Sequence, residues 1–218
     1  MAEDFKHNFS HVLWIGGATD AGKTTVSQLL ARRYGLQRYH YDQHDLRHHE
    51  RLAQNSAHYR AFLAASLDER WVRPEPEDLL QRSLQSFRDR FPLMMEDLLA
   101  LAKEPGVVAE GFGLMPQLVA PVLISQRQAI WLVPTPGFKL ASMQRRKKPS
   151  FQDQISDVER ATQNLLKRDM QLAELVRTQA HAYGFRVYEV GESHSVQELV
   201  AVIAQHFEPF LSGRNSAA

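Results

Sequence analysis

The stretch Gly17-Ala18-Thr19-Asp20-Ala21-Gly22-Lys23-Thr24 constrains the chain more than any other. It matches G-x-x-x-x-G-K-[ST] at every fixed position. Before it, His11-Val12-Leu13-Trp14-Ile15 reads as a short buried strand. After it, Thr25 to Arg33 reads as a helix with Val26, Leu29 and Leu30 on one side. Strand, glycine loop and helix together give the motif its meaning. Gly16, Gly17 and Gly22 can take positive φ and let backbone approach an anion. Successive N–H groups then form a nest for phosphate oxygens, reinforced by the positive end of the helix dipole. Gly17, Ala18, Thr19, Asp20, Ala21, Gly22, Lys23, Thr24 and Thr25 are therefore the expected nucleotide-binding residues. Lys23 reaches the β and γ phosphates, and Thr24 offers its hydroxyl to Mg²⁺. What the triphosphate is used for has to come from the rest of the chain.

The other properties narrow the class by exclusion. A length of 218 residues suits one α/β domain with an insertion, and 44% hydrophobic residues can build a packed core. The formal net charge of +1 gives no reason to expect a nucleic-acid partner. The chain has no cysteine, which removes disulfide and thiolate chemistry. Met1 to His11 lacks a signal-like apolar run, and no stretch approaches membrane-spanning length. The expectation is a cytoplasmic protein with no membrane partner, monomeric or homodimeric.

Further along, Gly35 is a natural helix stop, and Arg38 to Tyr41 reads as a second strand running into Asp42-Gln43-His44-Asp45. Arg47 to Leu101 has no strand signal and reads as helical, broken at Trp71 to Pro76, with Ser83 to Phe91 and Met94 to Leu101 at helical spacing. Gly106 to Ala109, Ala129 to Val133 and Phe185 to Val190 are three more strands. A basic helical region covers Gly137 to Lys148, and Asp153 to Tyr183 reads as one long helix or two, ended by Gly184. Ser195-Val196-Gln197-Glu198 is a capping box opening a last helix with Leu199, Val202, Ile203 and Phe207 on its apolar stripe. The expected organisation is one domain, 1–218, with a core over 10–46 and 104–210, a substrate-binding helical insertion over 47–103 and a lid over 137–152. Alternating strands and helices call for a parallel sheet with ligands at the strands' carboxyl ends. That rule selects the glycine loop, Asp42 to Asp45, and Glu110.

Asp42 is placed to take a proton from an attacking hydroxyl or to hold Mg²⁺. Asp45 is a second such carboxylate, or a cap for the helix starting near Leu46. Glu110, after an apolar strand, completes the metal set of Thr24, Asp42 and Glu110. Lys23, Asp42, Arg145 and Arg146 form the expected catalytic set. Within Arg145-Arg146-Lys147-Lys148 the two arginines supply lid charge, against the plainer reading of a solvated basic helix face. Arg160 and Arg168, with Asn164 between them, are weaker basic candidates on the long helix. His40, His44, His48 and His49 cluster, and His44 and His48 have zinc-compatible spacing. No Glu follows His44 and no cysteine exists to finish a site, so a polar rim or plain surface is the preferred reading. Trp131 and Trp71 read as packing residues, Trp71 with a pocket-lining alternative.

These residues resemble the P-loop small-molecule and nucleotide kinases, such as the adenylate, shikimate, gluconate and chloramphenicol phosphotransferase-type enzymes. The resemblance rests on Gly17 to Thr24, the Asp42 segment, Val107 to Phe112 and the Arg145-Arg146 lid. Glu110-Gly111-Phe112 looks like the Asp-Gly-Phe-Pro strand end of nucleoside monophosphate kinases, with Glu for Asp and no proline. It implies a three-layer α/β P-loop NTPase fold with a five-stranded parallel sheet of order 2-3-1-4-5, a helical insertion and a basic lid. ATP and Mg²⁺ are implied with it, as is phosphoryl transfer to a hydroxyl or phosphate of a small molecule. The alternative is a regulatory NTPase that hydrolyses ATP or GTP without an acceptor. The Asn-Lys-x-Asp segment of a GTPase is missing, and Leu211-Ser212-Gly213-Arg214 is a poor match to an ABC signature.

Overall fold

In the computed structural model, which describes residues 6–145, 154–193 and 195–211, every residue of strand β1 (Val12–Gly17) is buried. So is every residue of β3 (Val107–Glu110) and β4 (Ala129–Pro134). Burial on both faces of the central strands requires a cover on each side of the sheet. With β2 (Gln37–His40) and β5 (Arg186–Val190), the five strands form one parallel sheet of order β2-β3-β1-β4-β5. This is the class and order expected.

Side chains alternate between the two faces because the strand period is two. Leu13, Ile15, Val108, Ile130 and Leu132 meet Val26 and Leu30 of α1 (Lys23–Tyr34) and Leu199 and Ile203 of a later helix, Val196–His206. Val12, Trp14, Ala109, Trp131 and Val133 belong to the opposite core. The helices there are Pro76–Ala100 and Val158–Ala182, which contribute Phe87, Met94 and Leu98, and Leu172 and Val176. Leu29 departs from the expected stripe of α1. It is 36% exposed, and the sheet-facing row runs through Lys23, Val26, Ser27 and Leu30 instead.

Between β2 and β3 the chain forms α2 (Asp45–Ala53), α3 (Ala57–Ala64), a single π-turn (Asp68–Val72) and α4 (Pro76–Ala100). Pro76, Glu77 and Asp78 in the first turn of α4 suit a helix start. The two apolar stretches around Pro92 belong to one helix. Pro92 forfeits one backbone hydrogen bond, and burial of Leu93, Met94, Met95 and Leu98 outweighs that loss.

After β3 come the short α5 (Pro116–Val119), β4, α6 (Pro136–Arg145), α7 (Val158–Ala182), β5, α8 (Val196–His206) and α9 (Glu208–Leu211). The capping box opening α8 is formed in both directions, between Ser195 and Glu198. Gly35 ends α1 in the left-handed region, at φ 63°, with its N–H on the Ala31 carbonyl. No helix of the described residues is long and apolar enough to cross a membrane.

Candidate active site

The glycine loop leaves β1 at Gly17 and enters α1 at Lys23. Gly17 has φ 120° and Gly22 φ 79°. Gly16 needs no positive φ; a Cβ there would stand 2.4 Å from Trp131 Nε1, which donates to the Leu114 carbonyl at 2.8 Å. The loop also contains the one non-glycine positive φ among the described residues, Asp20 at 64°. The Ala18 N–H donates to the Leu132 carbonyl at 3.0 Å and ties the loop to β4. Thr24 and Thr25 lie exposed on the first turn of α1.

Lys23 is buried, and its Nζ donates to the loop's own Ala18 carbonyl at 2.6 Å. Burial pushes its pKa down against the pull of Asp42, Glu110 and Asp20. These carboxylates come from three strand ends or turns, as the carboxyl-end rule requires. Glu110 closes β3 with its side chain fully buried, and neither carboxylate oxygen has an aligned hydrogen-bond partner. Burial raises its pKa, opposed by His40 and Lys23. Asp42 follows β2 in a 3₁₀ turn, Tyr41–His44, with a part-exposed side chain and an Oδ1 that has no hydrogen bond. His40 lies between the acids: its Nε2 is 3.2 Å from Glu110 Oε1 and 3.7 Å from Asp42 Oδ2. Asp42 raises the His40 pKa, with burial opposing and Glu110 adding to the rise. Nothing in the residue spacing marked His40 as the link between these groups.

The oxygen set of Glu110, Asp42 and Thr24 fits Mg²⁺, which binds through one or two carboxylates and keeps places for phosphate and water. The unbonded oxygens of Glu110 and Asp42 are the observation behind that fit.

Several expected candidates have other partners. Asp45 starts α2, where the N-cap residue is His44 and no side-chain cap is made. Its carboxylate instead pairs with the buried Arg90 and, at 3.2 Å, with His49 Nδ1. Arg90 also donates to the Tyr41 carbonyl at 3.0 Å and stacks over the Tyr41 ring. Asp45 therefore anchors α2 to α4 and leaves Asp42 as the available acid. The histidines do not form a rim: His48 and His49 are buried. His48 Nε2 is 2.9 Å from Asp97 Oδ2, and His49 Nε2 is 2.9 Å from Ser86 Oγ. His44 stacks on Tyr39. Among the described residues no group of three His, Cys, Asp or Glu has metal-holding geometry.

On α7, Asn164 is buried and donates to the Val72 and Pro74 carbonyls. Arg160 makes an exposed pair with Glu75. Arg168 is buried, 2.8 Å from Asp169 Oδ1 and 3.0 Å from Ser83 Oγ. Trp131 packs on Phe185, and Trp71 is half-buried in the π-turn. Arg145 ends α6 but its side chain lies outside the described residues, as does Arg146. A residue the sequence did not single out, Lys139 of α6, contacts the glycine loop directly.

Comparison with protein-family models and with curated proteins gives no match. Comparison with solved structures does. Shikimate kinase from Acinetobacter baumannii, in complex with shikimate, aligns over 96% of this chain and 98% of its own, with TM-score 0.53 and 19% identity. The chain has the P-loop kinase fold. Two other structures overlap more loosely. Shikimate kinase from Aquifex aeolicus aligns over 93% of this chain and 99% of its own at TM-score 0.37 and 14% identity. NadR protein in complex with NR aligns over 94% of this chain and 53% of its own at TM-score 0.44 and 11% identity. The glycine loop, His40 with Asp42, and Glu110 stand at the carboxyl ends of the neighbouring strands β1, β2 and β3.

Proposed function

We propose that the protein is a kinase that moves the γ-phosphoryl group of ATP to a hydroxyl or phosphate of a small molecule. One observation carries this reading: Asp42 is a part-exposed carboxylate with an unbonded oxygen, within the field of the phosphate-loop lysine. A carboxylate so placed can take the proton of an acceptor hydroxyl, which the loop amides and Lys23 cannot do.

The loop amides and the N-terminus of α1 bind the β and γ phosphates. Lys23 exchanges its bond to the Ala18 carbonyl for phosphate oxygen. Asp42 accepts the acceptor's proton as the hydroxyl oxygen attacks the γ phosphorus. The bond from that phosphorus to the bridging oxygen breaks, and ADP leaves with the electron pair. A positioned base of this kind contributes about 10²–10⁴-fold. Thr24, Asp42 and Glu110 would hold Mg²⁺, which neutralises charge on the phosphate oxygens. Arg145 and Arg146 are assigned lid charge around the transferred group, and residues 47–103 the acceptor site. The acceptor is a small molecule, with neither nucleic acid nor membrane as partner. The protein works in the cytoplasm as a monomer or homodimer.

The test is ADP release with ATP, Mg²⁺ and panels of hydroxy acids, sugars, nucleosides and antibiotics. Acceptor-dependent ADP that disappears in Lys23→Ala supports the kinase. Steady acceptor-independent hydrolysis, also lost in Lys23→Ala, replaces it with an NTPase.

A further inference from the structure

Thr19 and Asp20 occupy variable positions in the middle of the glycine loop, and one lysine outside the motif holds both. Lys139 of α6 is buried, and its Nζ stands 2.6 Å from Thr19 Oγ1, 2.6 Å from Asp20 Oδ2 and 2.6 Å from Asp169 Oδ2. Asp169 also accepts from Thr19 Oγ1 at 2.6 Å and lies 2.8 Å from Arg168 Nε. Burial acts to raise the Asp169 pKa, and the charges of Arg168 and Lys139 outweigh it and hold it below the usual carboxylate range.

Lys139 and Arg168 thus balance Asp20 and Asp169 in a buried cluster, where an unpaired charge would be costly. Asp20 needs the cluster twice over. Its backbone sits in the left-handed region at φ 64°, uncommon outside glycine though tolerated by Asp better than by most residues, so a side-chain clamp helps to hold it. It also places a negative charge on a loop built to receive phosphates, and in a buried site that repulsion is poorly screened. Lys139 answers both: it clamps the Asp20 side chain and cancels its charge.

We propose that Lys139 is a positioning residue of the donor site, which holds the phosphate loop in its anion-receiving shape and neutralises Asp20. The proposal rests on the reading of Gly17–Thr24 as a triphosphate site. It makes α6 and α7 contributors to nucleotide affinity through residues outside the motif.

Calorimetric titration of the full-length protein with MgATP and with inorganic tripolyphosphate tests it. Wild-type protein that binds neither sinks the donor-site reading and this proposal with it. If wild type binds, Lys139→Met weakens both ligands about tenfold or more, because Asp20 and Asp169 face the phosphates uncompensated. Asp20→Asn, which removes charge and keeps a residue tolerant of positive φ, tightens both about two- to fivefold. The double variant Lys139→Met/Asp20→Asn regains most of the lost affinity. A lysine that only packs α6 gives a double variant no better than Lys139→Met, and that result overturns the proposal. Unchanged affinity in Lys139→Met, in a protein that does bind MgATP, overturns it alone. Should Lys139→Met not fold, Asp20→Asn decides: tighter binding supports the proposal, and unchanged or weaker binding overturns it.

Discussion

His40 and Glu110 hold paired positions on β2 and β3, and the imidazole Nε2 stands 3.2 Å from a buried carboxylate oxygen. Directly paired residues of neighbouring strands project from the same face. Register alone therefore brings a histidine to the acid beneath the phosphate loop. Glu110 is also paired with Ile15 of β1, so the acid stands between the strand that leads to Asp42 and the strand that leads to Lys23.

The clearest kinetic prediction concerns Asp42. If it accepts the acceptor's proton, Asp42→Asn lowers kcat about 10²–10⁴-fold and changes ATP affinity no more than about threefold. Steady-state ADP release and equilibrium ATP binding measure the two effects separately. An equal loss in affinity would make Asp42 a nucleotide-binding group.

Glu110 stores instability in the nucleotide-free protein. A fully buried carboxylate with no aligned hydrogen bond costs free energy that a neutral amide largely avoids, and the charges of His40, at 3.2 Å, and Lys23 offset only part of it, since burial still prevails in raising its pKa. Glu110→Gln accordingly raises Tm by about 2–6 °C in the absence of nucleotide and lowers turnover at fixed Mg²⁺. Thermal unfolding that shows a lower Tm contradicts this reading of the site.

Asp97 gives the pH dependence. It accepts from Tyr39 Oη at 2.8 Å, lies 2.9 Å from His48 Nε2 and pairs with Arg47. Burial acts to raise its pKa, but the bonds from Tyr39 and His48 and the charge of Arg47 outweigh it and hold it below the usual carboxylate range. A carboxyl depressed in the fold stabilises fully above its unfolded pKa and loses that stabilisation as pH falls through its folded value. Asp97→Asn should cost about 1–3 kcal/mol at pH 7, and the gap from wild type should close as pH falls below about 3.8. Denaturant unfolding across a pH series measures it; a gap that persists at low pH assigns the loss to packing.

Gly17 cannot carry a side chain. Its φ is 120°, and a Cβ would lie 2.0 Å from the Leu132 carbonyl oxygen, which accepts the Ala18 N–H. Gly17→Ala should destabilise by about 3 kcal/mol or more, since neither backbone can move without breaking the β1–β4 pairing. Urea unfolding provides the number, and a change under about 1 kcal/mol would mean the loop is soft at this point.

The sequence by itself determined the glycine loop, the five strands, the stops at Gly35 and Gly184 and the capping box of α8. Each depends on spacing within a few neighbouring residues: a fixed motif, an apolar run, a residue free to take positive φ, or a Ser three places before a Glu. It also placed Asp42 and Glu110 at strand ends, because those ends fall where apolar runs stop. Only the tertiary structure separated Asp42 from Asp45, since Arg90 lies 45 positions further along the chain than the acid it neutralises. Still longer separations, 49 and 119 positions, hid the pairing of His48 with Asp97 and the reach of Lys139 to Asp20. Partner choice among charged side chains follows from which helices pack together, and no local pattern encodes that.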